Sequence, residues 1–396
     1  MKKNERISEI EKNREIVRYI FFLFVGISVG LLLSILLKNS KSGISSGKDG
    51  KFDILYETYD VLNENYYNEL KEEDLVNGAI KGMIDSIGDK HTMFFDKEEK
   101  ESFEEELAGE YYGIGAEIKQ INEEDTVIVR VFDDSPAEKF GLKVGDIFVS
   151  IDGESTKGLK VDEIAKNLKS KSKEKATIVV NRDNEDVTFE IEKDNVTLLS
   201  VASEKFDNNI GYIAVSLFGE NTYDQFMNKL NKLESEGIDS LIIDLRGNSG
   251  GYLSSVARMI SEFVDSNTVI FQIKSKNNVE EFYSVNDNKK DYKIVVLMDE
   301  ESASASEIMA SAMKEQYGAT LVGKKTYGKG TVQEMKELSN KTLIKYTIQE
   351  WLTSKGNSIN DVGIEPDIEV TLGEEYFNNP SIENDNQLQK AIELLK

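Results

Sequence analysis

From about residue 200 onward, short apolar runs alternate with longer amphipathic stretches, and that alternation leaves few folds open. IGYIAVS, SLIIDLRG, VIFQI, IVVLMD and ATLVG read as strands, with TYDQFMNKLNKLESEG, YLSSVARMISEFV and SASEIMASAMKEQYG as helices between them. This order predicts an α/β layer around a largely parallel sheet. Ligands of such sheets sit outside the carboxyl ends of the strands. DLRGNSGG (244–251) and DEESASAS (299–306) each follow a strand directly, so both loops are expected at that edge.

Upstream the pattern differs. Residues 52–108 read as a helical region, broken by GDKHTMFF (88–95), with an acidic helix over 96–108. From Tyr112 the apolar period shortens towards that of strands. GIGAEIKQI and TVIVRVF are strand candidates, SPAEKFGL a short helix, DIFVSIDG a strand and turn, and VDEIAKNLKS an amphipathic helix. ATIVVNR and VTFEIE form a last pair, with a turn expected through Asn184 and Glu185. The segments are therefore 52–108, 110–195 and 196–396.

Residues 19–37, YIFFLFVGISVGLLLSILL, carry no charge. Nineteen helical residues reach about 28 Å, close to the hydrocarbon thickness of a bilayer. Lys2, Lys3, Arg6, Lys12, Arg14 and Arg18 precede the run, and Lys38 and Lys41 follow it. The bias predicts a cytoplasmic 1–18, a single-pass anchor over 19–37 and the C-terminal body on the far side of the cell membrane. The length and the lack of an A-x-A site favour an anchor over a cleaved signal peptide. Residues 38–51, rich in Ser, Gly and Lys, read as a tether. The net charge of −25 makes the chain a poor binder of nucleic-acid backbones. With no cysteine, disulfides, thiolate metal sites and cysteine catalysis are excluded. No His pair or carboxylate cluster has metal-ligand spacing, so neither metal nor cofactor is expected.

In such a chain a nucleophile and its base are best sought in residues 301–333. Ser304 opens a helix whose buried face is Ala305, Ile308, Met309, Ala312 and Met313. Ser304 and Glu307 fit the S-x-x-E capping box, so Ser304 reads equally as an N-cap. A nucleophile there has free amides and the helix dipole beside any oxyanion it creates, with the amide of Ala305 as one donor. Ser302 and Ser306 compete with it, and spacing does not separate the three. The one histidine, His91, lies 213 residues earlier, where a turn or packing role is expected. Lys329, between Gly328 and Gly330, is the alternative base. A free lysine is neutral in only about one molecule in 2,500 at pH 7, so burial must lower its pKa by about three units. Gln333 falls on the same side as Lys329 and can orient the amine without charging it. Gly250 or Gly251 can supply the second oxyanion donor, while Asp244 and Arg246 hold the turn.

At these residues the chain resembles the carboxyl-terminal processing, or tail-specific, proteases from about residue 52 onward. GEYYGIGAEI and SPAEKFGLKVGDIFVSIDG resemble the family's PDZ domain. DLRGNSGGYL, SASASEI, TYGKGTVQ and GNSINDVGIEPDIEV follow its crotonase/Clp-like α/β protease core in order. The resemblance implies a serine endopeptidase with Ser304 as nucleophile, Lys329 as general base and Gln333 as its support. It implies oxyanion donors at Ala305 and a glycine of the pair, Gly250. It also implies a PDZ groove that takes protein C-terminal tails between the GIGAEI strand and the VDEIAKNL helix. Amides at Gly113–Gly115 would capture the tail's carboxylate, and Ile114, Ile118, Ile164 and Leu168 would form the apolar pocket. Glu301 departs from the glycine usual before the first serine. As in the family, segments 52–108 and 382–395 are expected to support a homodimer. A PDZ adaptor on an inactive core and a carrier of small apolar ligands are the alternative readings.

Overall fold

The computed structural model describes residue 50 and residues 52–169, 174–287 and 289–396. The expected cytoplasmic 1–18, the anchor 19–37 and the tether 38–51 apart from Gly50 lie outside the described residues. Among the described residues, no helix is long and apolar enough to cross a membrane. The described residues divide into two compact units, with the boundary between Ile80 and Lys81. In the first, helix Asp53–Asn65 and the beginning of helix Glu72–Asp85 enclose an apolar pocket lined by Leu55, Tyr59, Leu62, Leu75 and Ala79.

In the second unit a six-stranded sheet runs in the order Val201–Phe206, Ile210–Val215, Ser240–Asp244, Lys293–Met298, Thr320–Gly323, Ile368–Glu369. The first pair is antiparallel and every later pair parallel. Side chains alternate between the two faces, as strand geometry requires. Leu241, Ile243, Val296 and Met298 join a core built with helices Thr222–Ser235, Leu253–Ser261 and Ala305–Ala312. Ile242, Val295, Leu297 and Val322 face helix Asn386–Leu395. Both faces are covered, which is why these strands read as unbroken apolar runs. The expected parallel strands are present with one exception. VIFQI leaves this sheet, and strand Val269–Lys274 instead pairs antiparallel with Val279–Tyr283 and with Leu343–Thr353. Leu343–Thr353 also takes Met93–Phe95 and Thr331–Glu337 as partners. An apolar run of five residues carries no record of which sheet it joins.

The segment expected to be a PDZ domain forms its own sheet from Ala116–Gln120, Thr126–Val131, Ile147–Ile151, Lys175–Arg182 and Glu185–Glu192. The last hairpin turns at Asp183 and Asn184, one residue before the expected turn, with φ 54° and 67°. Two left-handed residues match the right-handed twist of the flanking strands. Strands Glu110–Gly113 and Asp194–Thr197 pair where the chain enters and leaves this segment. Helix Lys97–Ala108 meets helix Val161–Lys169 through Glu98–Lys166 (2.6 Å) and Glu105–Lys169 (2.9 Å).

In the segment 382–395, Leu388, Ala391, Ile392 and Leu395 are all buried against the parallel sheet, while Ile382 and Leu394 stay exposed. Each large side chain there contributes about 2 kcal/mol by leaving water. Asp385 begins the helix: it accepts from the Leu388 amide at 2.9 Å and grips Arg246 of the DLRGNSGG turn at 2.8–3.0 Å. Asp385→Ala is expected to cost about 2 kcal/mol of unfolding free energy, from a lost cap and a half-released buried guanidinium. Urea denaturation of the two proteins measures it.

Candidate active site

Ser240–Asp244 and Lys293–Met298 are parallel neighbours, so the two loops that follow them lie side by side at one sheet edge. Side chains of the second loop stitch it to the backbone of the first. Asp299 accepts from the Gly247 amide with both oxygens at 3.0 Å, and from the amides of Glu301 and Ser302. Asn248 accepts the Ala303 amide at 3.0 Å through its carbonyl. Asp244 and Asp385 between them hold the Arg246 guanidinium, which fixes the turn from outside.

This stitching separates the three serines. Ser302 and Ser306 are fully buried, and their hydroxyls donate at 2.8 Å to the carbonyls of Leu245 and Asn248. Only Ser304 lines a cavity, of about 470 Å³, which Lys329 and Gln333 also line. Ser304 is held at φ 54°, ψ −114°, a conformation that costs an L-residue about 1–3 kcal/mol. It is the N-cap of its helix, with its amide donating to Glu307 Oε2 at 2.9 Å while its hydroxyl makes no cap hydrogen bond. Gly250 packs directly beneath it. A Cβ there would come within 2.8 Å of Ser304 Cβ, at a φ of 113° that disfavours any side chain.

Glu307 has no solvent exposure and sits between the two candidate catalytic residues. Its Oε2 accepts the Ser304 and Lys329 amides, each at 2.9 Å. Its Oε1 accepts the Gly328 amide at 2.8 Å and the Thr326 hydroxyl at 2.6 Å. Burial pushes its carboxyl up, against four donors that favour the ionised form. The carbonyl of Lys329 takes the indole N–H of Trp351 at 2.8 Å. Gly328, at φ 85°, brings this loop within contact of the Gly363 backbone. Burial, then the like charge of Lys345, lowers the Lys329 pKa to about 8, against Glu307 and Asp89, which favour its proton. At that value roughly one molecule in ten is neutral at pH 7.

Several expected contacts differ. Gln333 lines the cavity, but its amide nitrogen donates to Thr331 (2.8 Å) and Thr347 (3.3 Å). The Gly250 amide is committed to Asn248 Oδ1 at 2.8 Å, because the tight turn folds that side chain back onto it. Gly251 lines the cavity instead, and among the described residues the amides of Gly251 and Ala305 have no partner. His91 has the turn role expected of it, its amide donating to Asp89 at 2.9 Å, and it also stands beside the lysine loop. Its ring is 6.2 Å from that of Tyr327, and burial, then Lys329, keeps it below the usual histidine range. The pairing of Met93–Phe95 with Leu343–Thr353 brings it there, a contact across 250 residues that local sequence does not announce. Among the described residues no group of three or more His, Asp or Glu is placed to hold a metal ion.

In the PDZ-like segment, Ile114, Ile164 and Leu168 are buried in its core and Ile118 packs against them, so they fill the space between strand and helix. The ring of Tyr111 covers Gly113, and its phenol lies against the backbone amides of Gly115 and Ala116.

The sequence matches the signature of Peptidase family S41 over residues 209–370, that of a PDZ domain over 127–182 and that of the activating protease CtpB N-terminal domain over 35–99. It is 35% identical over 343 residues to the carboxy-terminal processing protease CtpA of Bacillus subtilis, covering 86% of this chain and 73% of that one. The chain belongs to the carboxy-terminal processing proteases. CtpB of Bacillus subtilis is likewise 35% identical over 341 residues, covering 85% of this chain and 71% of that one. An S41 protease structure from Bacteroides fragilis shares the fold at 14% identity, with a TM-score of 0.51 over 83% of this chain and 90% of that one. This carboxy-terminal processing protease is therefore a serine peptidase carrying a PDZ domain.

Glu307→Gln replaces an acceptor-only group with one that presents an N–H to its own donors. Peptide hydrolysis by this variant is expected to fall at least tenfold. The charges facing Lys329 are Lys345, Glu307 and Asp89, with His91 alongside. Removing the negative one at 307 disfavours the ammonium, so the acid limb of the residual rate is expected to move to lower pH. A pH–rate profile of the variant checks the direction.

Proposed function

We propose that this protein is a membrane-anchored endopeptidase that cleaves near protein C-termini through a Ser304–Lys329 dyad. The observation that carries the reading is that both residues line one cavity while a single buried carboxylate holds both their backbones. Neutral Lys329 takes the Ser304 proton, and Ser304 attacks the substrate carbonyl. Free amides at Ala305 and Gly251 receive the developing oxyanion, and the helix beginning at Ala305 adds its dipole. Lys329 then protonates the leaving amine and activates the water that releases the acyl group. Gln333, pinned by two threonines, shapes the lysine's side of the cleft.

Residues 19–37 serve as the anchor, with the catalytic body outside the cytoplasm. The PDZ domain takes the substrate's tail, whose carboxylate must displace the Tyr111 phenol from the amides of Gly115 and Ala116. The apolar helices of the first unit, where Phe52, Ile54 and Tyr56 are exposed, supply the face for a homodimer.

Ser304→Ala and Lys329→Ala are each expected to abolish hydrolysis of an unstructured reporter with an apolar tail while the fold survives. Retained activity in either rules out the dyad. The wild-type rate is expected to rise with pH through about 8, as the lysine loses its proton, and then to level. A flat profile over that range counts against Lys329 as the base.

A further inference from the structure

The cavity that holds Ser304 and Lys329 holds a second lysine that this mechanism leaves without a task. Lys345 stands on strand Leu343–Thr353, directly opposite Met335 of strand Thr331–Glu337. Its ammonium lies 5.4 Å from the ring centroid of Phe95 and 5.0 Å from that of Phe103, two rings stacked at 4.7 Å. Among the described residues no carboxylate is in ion-pair contact with it and no acceptor takes its hydrogens. Glu106, which also lines the cavity, acts on it only at longer range. The sequence has 73 acidic residues against 48 basic ones, so pairing partners are not scarce. A half-buried, unpaired ammonium is costly, and two aromatic faces offset only part of that cost.

The remaining compensation points to the substrate. We propose that Lys345 forms a carboxylate-binding subsite of the cleavage cleft, and that this enzyme prefers substrates with an acidic group a few residues from the scissile bond. The proposal rests on the peptidase reading above and adds the substrate class. Thr331, Gln333 and Met335 all line the cavity, and Met335 is four residues from Thr331, about 13 Å along a strand. An extended substrate covers that length in about four residues. The carboxylate is either the α-carboxylate of a short tail or an Asp or Glu side chain. The apolar walls, with Phe103, Leu107, Leu253 and Met335, exclude water from the ion pair and so strengthen it.

The test uses the full-length protein in detergent micelles. Each variant at 345 is made both with Ser304→Ala, for binding, and with Ser304 intact, for turnover. One peptide series is C-terminally amidated, with a single Glu, Gln or Lys at each position within four residues of the cleaved bond. A second series carries a free or an amidated C-terminus at those distances. Glu or free-carboxylate peptides are expected to bind about tenfold tighter than their neutral partners, the scale of one charge-assisted hydrogen bond. Lys345→Met is expected to erase that preference, Lys345→Arg to keep it, and Lys345→Glu to reverse it towards peptides with Lys at the same place. The arm that shows the effect identifies its source. Equal binding of charged and neutral peptides by the protein with Lys345 overturns the proposal. So does a preference that persists in Lys345→Met, which would belong to the PDZ amides. A Lys345-dependent binding preference without turnover in the Ser304 protein would leave the subsite standing and remove the peptidase reading.

Discussion

The arrangement of this cleft depends on one buried carboxylate. Glu307 gathers three backbone amides and a hydroxyl from two separate loops, and among them are the amides of both Ser304 and Lys329. Those two residues are 25 positions apart and belong to different elements. Their register is set by a rigid planar group with lone pairs on both sides, rather than by any contact between their own side chains. The same contact holds Ser304 in a backbone conformation that it would otherwise leave. Strain at Ser304 and burial of Glu307 are thus coupled through the hydrogen bond they share.

Around this centre the fold supplies asymmetry of charge. A lysine that acts as a base must be neutral, and the burial that makes it so also removes it from ion pairs. Lys329 is kept near the middle of the pH scale by opposed influences: burial and Lys345 on one side, Glu307 and Asp89 on the other. On the cavity side, the start of helix Ala305–Ala312 and Gly251 present bare amides, where a developing negative charge needs no cation to receive it.

Much of this was legible from local pattern. Period and turn chemistry placed DLRGNSGG and the serine run at the carboxyl ends of strands, and those strands are neighbours. The choice of Ser304 over Ser302 and Ser306 was not legible from spacing, since it rests on which hydroxyls meet the carbonyls of Leu245 and Asn248. The same limit explains Gly250, whose amide is captured by a side chain two residues away, and VIFQI, whose apolar run suits either sheet. The turn role expected of His91 is present, but its place beside Lys329 depends on pairing between residues 93–95 and 343–345, which local sequence does not carry. The PDZ pocket residues were found on the right elements, but period alone does not tell a packed interior from an open groove. The anchor rests on residues outside those described here.

The grip of Asp385 on Arg246 has a temporal side. A ribosome makes residue 385 after nearly all of the catalytic cleft has emerged, and helix Asn386–Leu395 closes one face of the parallel sheet only after that. Until then the turn carrying Gly250 and Gly251 lacks one of the two carboxylates that fix its guanidinium, and the sheet stands half uncovered. A nascent chain therefore has Ser304 and Lys329 before it has the frame around them.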